Sequence, residues 1–144
     1  MPISQNLRFV AVVPKDAEFD HPPGAALMRR LSDGLADVGW NTSEMDNWRD
    51  CGWSVVCRRD SSELEVVVSQ VEDGEWMLQV CPLQTPGLIS GVFGGKPSAT
   101  PDEVYGLALT IHGALSTMRS LGNPRWRWDG FPEDGHSTPE PQGI

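Results

Sequence analysis

The sequence predicts an α+β domain: an antiparallel β-sheet, made of a meander of three strands plus an N-terminal and a short C-terminal strand, with two helices packed on one face. Three observations predict it. Trp53–Arg59, Leu64–Val71 and Glu75–Pro82 are β-prone runs separated only by turn residues, the pattern of antiparallel neighbours. Two other segments carry apolar residues at helical spacing. The length, 144 residues, suits one domain that buries a core without disulfides. That domain is assigned to residues 1–130, and 131–144 reads as a disordered tail rich in Pro, Gly and acids.

Taken in order, Leu7–Val13 is large, apolar or β-branched, ends at Pro14, and predicts a buried strand. An acidic, Pro-rich connector leads to Leu27, Leu31, Leu35 and Val38, which share one helical face before Gly39. This predicts a helix over 23–38 with a glycine stop. Asn41–Cys51 is polar and reads as a loop. Asp73-Gly74 between β-prone runs is a strong hairpin signal. A turn there pairs Val71 with Trp76, Ser69 with Leu78 and Val67 with Val80. A Ser61-Ser62 turn pairs Arg58 with Glu65 and Cys57 with Val66. One face then carries Trp53, Val55, Cys57, Leu64, Val66, Val68, Met77 and Cys81. The other mixes Val56, Val67, Val71, Trp76, Leu78 and Val80 with Arg58 and Glu65. Cys57 and Cys81 fall two strands apart, roughly 9.5 Å, which is too far for a disulfide.

The clearest local signal is Thr100-Pro101-Asp102-Glu103, an N-cap, a Pro at the first helical position and a capping-box Glu. Val104, Leu107, Ala108, Ile111, Leu115 and Met118 follow on one face, and Gly122-Asn123-Pro124 stops the helix. Pro124–Asp129 then alternates Trp126 and Trp128 with Arg125 and Arg127, as a short last strand does.

Composition narrows the function. Eleven Lys+Arg against twenty Asp+Glu give a net charge of −9, which opposes nucleic-acid binding because that needs a basic face. The apolar run Phe9–Pro14 is too short for a membrane span. The first residues lack the charge and cleavage pattern of a signal peptide. Cys51, Cys57 and Cys81 are an odd number without metal spacing. A cytoplasmic protein with reduced thiols is the expectation, and nine Arg against two Lys fit a high-GC bacterial coding sequence.

No motif for a cofactor, a metal or catalysis emerges. Ser90–Ser98 differs from a phosphate loop because Ser90 stands where its first Gly belongs and Pro97 follows Lys96, offering no N–H. His21, His112 and His136 lack ligand spacing. A Cys–His pair using His112 remains open, since such partners meet in space. The acids say more. Glu72, Asp73 and Glu75 crowd one hairpin tip, with Glu72 facing Glu75, and like charges opposite each other destabilise a sheet. Glu44, Asp46 and Asp50 surround Trp48 in the polar loop. These seven residues are the candidate partner-binding surface. The plain alternative is a solvated turn and loop, with Trp48 folded back onto the core. Six tryptophans keep partner binding in view, because Trp is enriched at interface hot spots.

The acidic loop EMDNWRDCGW, the meander with VEDGEW at its tip and the late helix before PRWRWD resemble the organisation of small immunity proteins of bacterial toxin–immunity systems. The resemblance implies a non-enzymatic inhibitor, monomer or homodimer, whose negative surface covers the basic cleft of a cognate toxin. A small acidic secretion chaperone holding a secreted effector segment is the alternative. A third class is an enzyme using Cys51 or Cys57, or a small-ligand binder lined by Trp126 and Trp128.

Overall fold

A computed structural model describes residues 4–11, 22–83, 99–117, 121–133 and 135–143. The Ser90–Ser98 loop, His21 and Met118 lie outside the described residues. The elements are β1 (Gln5–Val10), α1 (Ala25–Asp37), β2 (Asn41–Thr42), β3 (Asp46–Trp48), β4 (Gly52–Arg59), β5 (Ser62–Glu72), β6 (Glu75–Pro82), α2 (Pro101–Ser116) and β7 (Gly122–Trp128). All seven strands form one antiparallel sheet. β2 and β3 both pair with the outer side of β4, and the order continues β5, β6, β1, β7. The sequence-predicted α+β class and the helices on the sheet are therefore what the chain adopts.

Local chemistry explains the helix ends. Thr100 Oγ1 accepts from the Glu103 N–H at 3.2 Å and Glu103 Oε1 accepts from the Thr100 N–H at 2.9 Å, the full capping box. α1 begins instead at Gly24, whose φ of 109° is left-handed and whose added Cβ would stand 3.0 Å from the Trp76 ring. Only glycine meets both demands there. Gly39 follows α1 at φ 99°, as its spacing predicted.

Both helices lie on the sheet face that carries Trp53, Val55, Leu64, Val66, Val68, Trp76, Leu78, Leu7 and Phe9. This corrects the expected register. Val71 is an extra residue between the pairs Gln70↔Trp76 and Glu72↔Glu75, so Ser69 meets Met77 and Val67 meets Gln79. A bulge takes one residue out of the ladder and inverts the parity beyond it. Trp76, Leu78 and Val80 therefore join the helix-covered face, while Met77 and Cys81 turn to the second face. The β4–β5 turn is also one residue earlier than expected, centred on Asp60-Ser61, with Asp60 at φ 53°, and Arg58 meets Glu63. The 41–51 stretch, expected as a loop, supplies β2 and β3 against β4.

Residues 131–133 and 135–143, for which composition predicts disorder, follow β7. Trp126 and Thr138 exchange backbone hydrogen bonds of 2.8 and 3.0 Å. Gln142 then uses its side chain as a strand would. Its Nε2 donates to the Trp126 carbonyl at 2.9 Å and its Oε1 accepts from the Trp128 N–H at 3.3 Å. The fully buried Gln5 side chain bonds the Gln142 backbone through both its amide nitrogen and its oxygen. A buried carboxamide needs such partners, and composition-based reasoning cannot see a partner 137 residues away.

Candidate functional site

The sheet brings the Asp50 turn of the first acidic segment to the same end as the Glu72–Glu75 hairpin. Gly52, the first residue of β4, pairs with Ser69, and β5 runs three residues further to Glu72. The β3–β4 turn and the β5–β6 turn thus share one end, and β1 leaves beside them, with the Ala11 N–H donating to the Gly74 carbonyl at 3.0 Å. Asp50, Glu72 and Asp73 are exposed at that end. Glu44 and Asp46 are exposed as well, but they lie lower along the outer side of β4, where Asp46 pairs with Ser54.

Glu75 is different. Its carboxylate forms an ion pair with Arg8, which β1 brings alongside. The like-charge pair Glu72↔Glu75 therefore has its compensation, and the expected uncompensated repulsion is corrected. Arg8 was missed in the sequence because its partner belongs to a strand 67 residues away. Its alternation with the buried Leu7 and Phe9 was the available signal.

Trp48 pairs with Gly52 and so shares the second face, away from the helices. It is half-buried and is not packed against the core, whereas its neighbour Met45 is. The Arg49 guanidinium stands 5.0 Å from its ring centroid. Across the sheet Arg8 stands 5.6 Å from the ring of Phe131, which is 47% exposed. Exposed Val10 and Val71 lie at the same end; of these three apolar residues, only Val71 was named in the sequence, as a member of the second face. Burial pushes the Glu65 carboxyl up and the nearby Arg49 guanidinium pulls it back down.

The thiols divide by position. Cys57 is fully buried and its pKa is pushed up to about 12 by burial; Cys81, also buried, is pushed up to about 11 by burial and by the Glu65 charge. They point to opposite faces and all three cysteines are free. Nucleophilic thiols need thiolate character and access, so Cys57 does not supply them, and only Cys51 is exposed. Iodoacetamide on the folded protein at pH 8 is expected to label Cys51 alone, with mass spectrometry reading one adduct. Labelling of Cys57 or Cys81 at a similar rate would contradict this burial.

His112 Nδ1 accepts from the indole N–H of the buried Trp126 at 3.1 Å, so one ring nitrogen of this half-buried histidine is committed to the core. Trp126 has no exposed surface, and Trp128 packs on the core with its indole N–H on the Gly143 carbonyl. Trp126 therefore offers no surface to a ligand, and of this tryptophan pair only Trp128 is partly exposed. Among the described residues no group of three or more His, Cys, Asp or Glu is gathered as a metal site needs, and no helix is long and apolar enough to cross a membrane. A shallow groove of about 530 Å³ lies between α1 and α2, away from all seven candidate residues. Comparison with protein-family models, curated proteins and solved structures found no match, so the residues themselves carry the functional reading.

Proposed function

We propose that this protein is an immunity-type inhibitor that binds and neutralises a basic cognate protein toxin through the acidic end of its sheet, without catalysing a reaction. One observation carries the reading: Asp50, Glu72 and Asp73 are exposed together at the end where Trp48 and Val71 also emerge. Acidic groups around aromatic and apolar anchors give an interface both of its working parts. Charge complementarity accelerates encounter and rejects wrong partners, and a desolvated anchor slows release. Trp48 is the anchor, and Glu72 and Asp73 supply the field.

The test is capture from native lysate, run in parallel with wild type and the Glu72→Lys/Asp73→Lys variant, with circular dichroism to show that both are folded. Both positions are exposed, so the fold is expected to tolerate the change. Wild type is expected to retain a basic protein at stoichiometric yield. The variant is expected to lose it, with association slowed roughly tenfold or more at low salt and less at high salt. Equal capture by both forms would overturn the surface. A secreted effector held through an extended segment would favour the chaperone.

A further inference from the structure

We infer that the indole face of Trp48 is a subsite for a cationic side chain of the partner, and that Arg49 occupies this subsite in the free protein. The inference rests on the reading of this surface as the binding site for a basic protein and adds the chemistry of one contact. Arg49 already presents its guanidinium to the ring at 5.0 Å, the arrangement in which a cation is attracted by the aromatic quadrupole. On the same sheet Arg8 does so at Phe131, but Arg8 is tied to Glu75 by an ion pair. Arg49 also acts electrostatically on the half-buried Glu65, whose carboxyl it pulls down, so the side chain that covers the ring feels a carboxylate on the same sheet face.

The turn that holds Arg49 supports the idea. Arg49 and Asp50 adopt φ values of 52° and 59°, closed by the Cys51 N–H on the Trp48 carbonyl. Two successive left-handed positions in a hairpin turn suit Asn-Gly best. The chain keeps Arg-Asp there, fixed by the Asp50 N–H donating to Asn47 Oδ1 at 2.8 Å. The arrangement keeps a guanidinium over the ring. Asp46, Glu72 and Asp73 add exposed negative charge that favours an incoming cation over an incoming anion or apolar group.

The experiment titrates the full 144-residue chain with a hexa-arginine peptide at low salt, following the indole N–H signals by NMR. Wild type is expected to bind with movement of the Trp48 signal. Arg49→Asn is expected to bind roughly two- to fivefold more tightly, the factor an exposed cation–π contact is worth. Arg58→Asn removes the same charge from an exposed position paired with Glu63 and is expected to give no such gain. Trp48→Leu is expected to abolish the difference between the Arg49 forms. Equal affinities for the Arg49 and Arg58 variants, or an unmoved Trp48 signal, would overturn the inference. If the peptide result holds while capture of a basic protein fails, the cation subsite stands and the inhibitor reading falls. The reverse outcome removes the subsite and leaves the surface.

Discussion

Gly52→Ala is expected to destabilise the fold by on the order of 3 kcal/mol, the upper range for overpacking a well-packed site. A Cβ added there would stand 2.2 Å from the Val68 carbonyl oxygen, 3.1 Å from the Val68 carbonyl carbon and 3.0 Å from the Ser69 Cβ. The obstacle is backbone, which no rotamer change can clear. β4 and β5 must separate where the β3–β4 turn joins the sheet, so Trp48 and Asp50 lose their support together with the ladder. Urea unfolding is the measurement. A loss of this size lowers the midpoint temperature by roughly 6–12 °C for a chain of this length. A change below about 1 kcal/mol, the ordinary size for a point mutation, would show that the two strands separate easily and that glycine is not required.

Trp126→Ala is expected to cost roughly 3–5 kcal/mol, the range for deleting a large buried aromatic. Trp126 is fully buried in the core beneath α2, and its indole N–H is satisfied by His112 Nδ1. Its backbone also holds Thr138 and Gln142 through three hydrogen bonds, so collapse around the cavity would disturb both partners of β7. His112→Ala separates the two contributions. It leaves the ring in place but strands its buried donor, at about 1–3 kcal/mol. Denaturant titration of both variants and of the double mutant is the check. A fully additive double mutant would show that the hydrogen bond contributes nothing to the coupling of α2 and β7.

The legible parts of the fold were those specified by neighbours in sequence. The Thr100–Glu103 capping box, the Asp73-Gly74 turn and the stop at Gly39 were each readable from a few adjacent residues, and each is present. The strand parity of β6 was not. It depends on Val71 standing outside the ladder, and no local preference distinguishes a bulged valine from a paired one. The acidic clusters were visible as composition, but the shared end of Asp50, Glu72 and Asp73 was not, because it depends on β3 pairing with β4 in a stretch that reads as a loop. The fate of Glu75 was not visible, because Arg8 reaches it only once β1 lies beside β6. Likewise, the Pro-rich, polar residues 131–133 and 135–143 resemble disorder until Gln5 and Trp126 are known to present hydrogen-bonding groups to Thr138 and Gln142.

That last arrangement limits how another protein can approach. A bare sheet margin is a template on which a second chain can add a strand through main-chain hydrogen bonds, productively or as the start of aggregation. Here the outer margin of β7 is occupied by Thr138 and Gln142. The opposite margin is divided between β2, two residues long, and β3, three residues long. Among the described residues, neither side offers a long, bare run of strand for a stranger to zip onto. Under the proposed reading, recognition then falls to side chains at the turn-bearing end, where identity is read residue by residue, and molecules at high concentration meet no long open margin on which to polymerise.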